Sequence, residues 1–178
     1  MIYSFFKQII KITLAVFFKK IVVSGKQHIP TKGPLIIVAN HPNTFMDPLI
    51  IAAICKQRIG FVANGGIFIN KLVSHILRYF HIIPVYRKQD RLPDQKSDHS
   101  KTFEKCHTYL RDDGSILIFP EGSSYYELNL RDIKTGTARI ALSLAALEKF
   151  DIGLNILPIA LEYSDAIQFR SSVSVTVN

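Results

Sequence analysis

Short apolar runs separated by polar connections pace this chain. Residues 35–39, 58–63, 82–86, 115–119 and 154–161 are each five to eight residues long and rich in Ile, Val and Leu. Runs of that length, bounded by Gly, Pro, Asn or Asp, read as buried strands. Residues 22–24 and 173–177 offer two further short strands. Between the runs, apolar residues recur at helical spacing. Ile67, Phe68, Leu72, Ile76, Leu77 and Phe80 predict a helix over 67–80, and Phe103, Cys106, Tyr109 and Leu110 predict one over 102–110. A third covers 136–149. A fourth runs from about Pro48 to Lys56, with Asp47 as its N-cap and Pro48 in its first turn. Residues 88–101 are polar without apolar periodicity and read as a mobile loop. Strands alternating with helices predict a layered α/β domain with a largely parallel central sheet flanked by helices.

The first 21 residues differ from the rest. On a helical projection Ser4, Lys7, Gln8, Lys11 and Ala15 share one narrow stripe, and apolar side chains, many of them Phe and Ile, cover most of the remaining surface. The longest uncharged run, residues 12–18, holds seven residues, far short of the roughly 20 that span a bilayer. No small-residue cleavage site follows an apolar core, so a signal peptide is disfavoured. Lysines beside phenylalanines on a wide apolar arc predict an amphipathic helix at 1–21 lying in a membrane interface, with a core helix as the plainer alternative. The domain proper is then 22–178.

Composition sharpens this. The 178 residues suit one domain, and 48% are apolar. The net charge of +8 is unevenly spread: residues 1–88 carry 12 basic residues and one acid, Asp47, whereas residues 89–178 carry 10 basic and 13 acidic. The N-terminal half therefore faces something anionic: a membrane surface, a phosphorylated substrate or nucleic acid. Its basic residues are interleaved with long apolar runs, not set in a binding module, which disfavours nucleic acid. Cys55 and Cys106 fall in apolar-periodic segments without metal-ligand spacing. They read as reduced core residues of a cytoplasmic protein.

Three predicted strands end in polar groups: His41 and Asp47, then Arg87 and Lys88, then Glu121 and Gly122. Strand carboxyl ends share one edge of a parallel sheet, so these groups are expected to converge. A histidine oriented by a carboxylate is a general base; the bland alternative is a solvated loop histidine. A base, a cationic cluster and a carboxylate beside a glycine suit acyl transfer to the hydroxyl of a phosphorylated acceptor. A serine hydrolase is disfavoured because Gly-x-Ser-x-Gly is absent.

Four blocks carry a resemblance. They are Asn40-His41-Pro42-Asn43-Thr44-Phe45-Met46-Asp47-Pro48, then Ile83-Pro84-Val85-Tyr86-Arg87. Next comes Phe119-Pro120-Glu121-Gly122-Ser123-Ser124 with Lys134-Thr135-Gly136-Thr137-Ala138-Arg139-Ile140-Ala141. Last is Leu154-Asn155-Ile156-Leu157-Pro158-Ile159. In that order they resemble the PlsC-like glycerolipid acyltransferases, the glycerol-3-phosphate and 1-acylglycerol-3-phosphate acyltransferases, over about residues 20–178. The resemblance implies an O-acyltransferase of phospholipid biosynthesis. His41, oriented by Asp47, would take the acceptor hydroxyl's proton as that oxygen attacks the thioester of acyl-CoA or acyl carrier protein, with no metal or other cofactor. Arg87 would hold the acceptor phosphate, with Lys88, Lys71, Lys134 or Arg139 as helpers; solvated surface charge is the plainer reading of Lys134 and Arg139. Glu121, Gly122 and Ser123 would shape the acceptor site. Glu121 can also stabilise its turn, and Asn43 would touch the base or cap a helix. The enzyme would sit peripherally on the cytoplasmic face of a membrane. Five residues separate His41 from Asp47 where the family usually has four. Ser124 stands where the family has arginine, and Asn64 where it has a lysine. These neutral positions leave room for another lysophospholipid or an amine-bearing lipid as acceptor, and a catalytically silent membrane-binding module is the remaining alternative. The family usually continues beyond the position of Asn178, so the C-terminal end of the domain is expected to be missing.

Overall fold

The computed structural model describes residues 2–68, 70–85, 99–124, 126, 129 and 131–178. Helices and strands alternate as the apolar runs require: α1 (Ile2–Phe17), β1 (Lys20–Ser24), β2 (Leu35–Ala39), α2 (Met46–Ile54), β3 (Ile59–Asn64), α3 (Lys71–Tyr79), β4 (Ile82–Val85), α4 (His99–Arg111), β5 (Ser115–Ile118), α5 (Gly136–Leu147), β6 (Asn155–Tyr163) and β7 (Ser172–Val177). The strands form one sheet in the order β1-β7-β6-β2-β5-β3-β4. Every neighbouring pair is parallel except β6 with β7. The α/β architecture is therefore as expected.

Strand parity sorts the core into two layers. Leu35, Ile37 and Ala39 of β2, Leu117 of β5, Leu157, Ile159, Leu161 and Tyr163 of β6, and Val173, Val175 and Val177 of β7 point to one face. There they pack with Ile50 and Ile51 of α2, Leu14 of α1, and Phe18. The intervening Ile36, Ile116 and Ile118 point to the other, against Cys106 and Leu110 of α4 and Ile140, Ala141 and Leu144 of α5. Because successive side chains on a strand alternate faces, a one-residue slip would exchange the two layers. Each fully buried Leu or Ile contributes about 1.5–3 kcal/mol. Both thiols lie inside, and burial raises them to about 11 for Cys55 and about 12 for Cys106.

Several boundaries differ from the sequence reading. The first helix stops at Phe17, not 21, because Phe18 turns into the core and Lys20–Ser24 gains a parallel strand partner in β7. Within α1, the Lys7 ammonium donates to the carbonyl of Cys55, the C-cap of α2, where the helix dipole favours a cation. α1 is thus half core and half exposed, since Leu14 is buried while Phe5, Phe6, Ile9, Ile12 and Val16 face outward. The third helix starts at Lys71, not 67. Asn64 and Asn70 each accept backbone N–H bonds, from Gly66 at 2.9 Å and Val73 at 2.9 Å, which confines residues 65–67 to a separate 3-10 turn. α4 begins three residues earlier than the apolar spacing indicated, because a solvated polar first turn has no hydrophobic period. The remainder of the predicted 88–101 loop lies outside the described residues.

Candidate active site

β2 and β5 are parallel neighbours, with Val38 opposite Ile118, so their carboxyl ends open on the same edge. Asn40 and His41 leave β2 there, and Phe119, Pro120 and Glu121 leave β5 beside them. The Asn40 side chain continues the sheet where its backbone departs: its Oδ1 accepts from the Leu161 N–H at 2.7 Å and its Nδ2 donates to the Leu161 carbonyl at 2.8 Å. His41 is then gripped from β5. Its backbone N–H donates to Glu121 Oε1 at 3.0 Å, its carbonyl accepts from Ser124 Oγ at 3.1 Å, and its ring stacks on Phe119, with centroids 3.8 Å apart and planes 7° apart.

His41 Nδ1 lies 2.8 Å from Asp47 Oδ2. Asp47 is fully buried, so an ionised carboxylate there needs partners. It has three: Oδ2 also accepts from the Asn43 N–H at 2.8 Å, and Oδ1 accepts from the Tyr163 hydroxyl at 2.5 Å. With both oxygens accepting, the facing His41 Nδ1 is the donor, which leaves the Nε2 lone pair to receive a proton. The expectation that Asp47 is the N-cap of α2 is corrected. The cap position is Phe45, and Asp47 stands in the first turn with its side chain turned back to the histidine. Asn43 does the capping from further upstream. Its Oδ1 accepts from the N–H groups of Phe45 at 3.1 Å and Met46 at 3.0 Å, and its Nδ2 donates to the Ala166 carbonyl. This Asn43-centred turn accommodates the five-residue spacing and still brings the carboxylate to the ring.

The cationic groups are set differently. Glu121 is buried, and Gly122 follows at φ +76°, a left-handed conformation that favours glycine. Lys134 lies across that turn: its N–H donates to the Pro120 carbonyl at 3.0 Å, and a Cβ on Gly122 would stand 2.6 Å from its ammonium. The structure thus brings Lys134 beside Glu121 and Gly122, with the half-buried Ser123 next in line. Arg139 is exposed on α5, with its guanidinium 5.5 Å from the centre of the Phe103 ring, a packing partner on α4. Lys71 lines a groove of about 370 Å³ along α3 with His75 and Arg78. Arg87 and Lys88 lie outside the described residues.

The profile of the Acyltransferase family matches residues 20–162, most of the chain, including His41, Asp47, Glu121 and Lys134. The chain belongs to that family. The 1-acyl-sn-glycerol-3-phosphate acyltransferase of Borreliella burgdorferi is 29% identical over 174 residues, covering 95% of this chain and 64% of that protein. Glycerol-3-phosphate O-acyltransferase 2 of Saccharomyces cerevisiae is 34% identical over 77 residues, covering 43% of this chain and 10% of that protein. The crystal structure of the 1-acyl-sn-glycerophosphate acyltransferase PlsC from Thermotoga maritima superposes with a TM-score of 0.70 at 18% identity, over 97% of this chain and 65% of that one, so the fold is shared. The chain therefore spans less than two thirds of each of these relatives.

Within this family member, sequence reasoning gave no separate role to Asn40, Phe119, Ser124 or Tyr163. Tyr163 had a usable signal. It has the same parity as Leu157, Ile159 and Leu161, which places it on the sheet face that α2 covers. Ser124 and Asn64, the two neutral positions, both have hydrogen bonds to backbone groups: Ser124 to the His41 carbonyl, Asn64 to the Gly66 N–H.

Proposed function

We propose that this protein transfers a fatty acyl group from the thioester of acyl-CoA or acyl carrier protein to the hydroxyl of glycerol-3-phosphate or 1-acylglycerol-3-phosphate. The observation that carries this reading is the 2.8 Å contact between His41 Nδ1 and a fully buried Asp47 at the carboxyl edge of the sheet. His41 Nε2 takes the hydroxyl proton as the acceptor oxygen attacks the thioester carbonyl carbon. The tetrahedral intermediate collapses, the C–S bond breaks, and the departing thiolate recovers the proton from the imidazolium. An ester and a free thiol result. The step invokes no enzyme nucleophile and no cofactor.

Lys134 beside the Glu121–Gly122 turn is the described cation best placed for an acceptor phosphate, with Arg87 and Lys88 as the other candidates. A lipid acceptor calls for a membrane surface, and the outward face of α1 supplies a docking element for its cytoplasmic side. Phe6 meets Phe80 edge-on at 5.5 Å, which joins that face to the exposed Leu72 and Tyr79 of α3. Among the described residues no helix is long and apolar enough to cross a membrane. The backbone roles of Ser124 and Asn64 favour a second reading of the same chemistry, in which the acceptor is another lysophospholipid or an amine-bearing lipid.

Acyl transfer from acyl-CoA, assayed on vesicles with glycerol-3-phosphate, lysophosphatidate and phosphate-free lipids, tests both. His41→Ala is expected to lose more than about 10³-fold in kcat, as removal of a general base and its orientation would. Retained activity in that variant defeats the mechanism, and equal rates on acceptors without a phosphate defeat the phosphate assignment.

A further inference from the structure

We infer that Tyr163 is a positioning residue of the His41–Asp47 pair: from the far end of β6 it fixes the second oxygen of Asp47 and thereby sets how strongly that carboxylate holds the histidine. The inference rests on the general-base reading above and extends it to a residue 116 positions beyond Asp47 in sequence.

Asp47 Oδ2 alone serves His41 Nδ1 and the Asn43 N–H. Those two bonds hold one oxygen and leave Oδ1 to be fixed by another group. The Tyr163 hydroxyl, 2.5 Å from Oδ1, closes the other half. The tyrosine itself is packed in the core: it is buried, it shares the inward parity of β6, and its ring lies 5.9 Å from that of Phe18. Burial and the facing carboxylate both raise its phenol far above the ordinary range, so it remains a proton donor wherever the enzyme works. A charge-assisted bond of this kind fixes orientation and draws negative charge towards Oδ1. Less charge is then left on Oδ2, and His41 Nδ1–H is held less tightly than a lone carboxylate would hold it. An oversupplied partner would stabilise the imidazolium and keep the base protonated to higher pH. The tyrosine moderates that effect while keeping the ring aimed.

Tyr163→Phe removes one oxygen and keeps the ring. It is expected to lower kcat by about tenfold to a hundredfold, the scale of a hydrogen bond to a charged group, with both KM values within about twofold. The acid limb of its kcat/KM profile is expected to move to higher pH relative to wild type. The low-field proton resonance of His41 Nδ1–H is expected to move further downfield, because Oδ2 regains charge. A merely structural tyrosine would leave the limb and the resonance in place, and that result overturns the inference. Site-specific fluorotyrosine at 163 preserves the shape and strengthens the donor, so it keeps the test open should the phenylalanine variant fail to fold. There the resonance is expected to move upfield, and an unmoved resonance again overturns the inference. The resonance is read without turnover. It therefore stands apart from the acyl-transfer reading, which fails separately if His41→Ala remains active.

Discussion

His41, the proposed base, and Lys134, the cation over the Gly122 turn, are held by opposite means. His41 is reached through its N–H, its carbonyl, its ring face and its Nδ1, by residues of the turn just beyond β5 and the first turn of α2. Asp47 behind it accepts three hydrogen bonds with no solvent exposure. Lys134, by contrast, is exposed and fixed through its backbone to Pro120, while its side chain lies over a glycine. Proton transfer needs a donor–acceptor geometry correct within a few tenths of an ångström. Attraction of a phosphate falls off slowly with distance and tolerates a flexible lysine stem. The fold spends its buried contacts on the group whose position matters and leaves the other in water.

That contrast is broken most severely at Asp47. An asparagine has one acceptor oxygen and an NH₂ where Asp47 offers two oxygens to three donors. Tyr163 can retain its bond to the remaining oxygen, but the NH₂ then faces the Asn43 N–H and forces His41 into the tautomer with the proton on Nε2. Asp47→Asn is therefore expected to lose about 10³–10⁴-fold in kcat with KM little changed, as other His–carboxylate pairs do when the tautomer is wrong. Steady-state kinetics on folded variant checks this, and a loss below tenfold shows that Asp47 does not orient the base.

Glu121 separates clamp from chemistry. Glu121→Ala strands the part-buried His41 N–H and is expected to cost about 1–3 kcal/mol, seen as a fall of about 2–12 °C in Tm, with a rate loss near tenfold. Glu121→Gln keeps an acceptor oxygen and should restore most of both. If the glutamine variant is as inactive as alanine while its Tm recovers, the charge of Glu121 acts on substrate and the clamp is secondary.

Much of this was legible in the chain. Short β-branched runs gave the strands, and the convergence of the β2 and β5 carboxyl ends followed from a parallel sheet, as the His41–Glu121 bond bears out; Arg87 and Lys88, the third group expected there, lie outside the described residues. The His41–Asp47 contact was expected in spite of its longer spacing. The illegible parts have physical causes. The outline of α1 was misjudged because Lys20–Ser24 takes its strand character from β7, about 150 residues away. Lys7 was read only as one member of a narrow stripe, because helical periodicity does not show that the C-terminus of α2 needs a donor there. Phe119 and Tyr163 were given no role of their own. What makes them part of the site is the partner across the sheet, and no local window contains it.

The smallest effect belongs to the exposed side, and it is where the contrast is sharpest. Lys134→Gln removes a charge but no buried contact, so Tm should stay within about 1 °C. If the lysine attracts the acceptor phosphate through solvent, KM for the phosphorylated acceptor should rise about threefold to tenfold at low ionic strength, with kcat unchanged. The difference from wild type should shrink as salt is added, because exposed charges are screened over about 10 Å at 0.1 M. A lysine in tight, dehydrated contact with phosphate would instead lower kcat and resist salt. An unchanged KM at every ionic strength would remove Lys134 from the acceptor site and leave the anion to Arg87 and Lys88. The proposed base would keep its supports in that case, since none of the hydrogen bonds described for His41 and Asp47 involves Lys134.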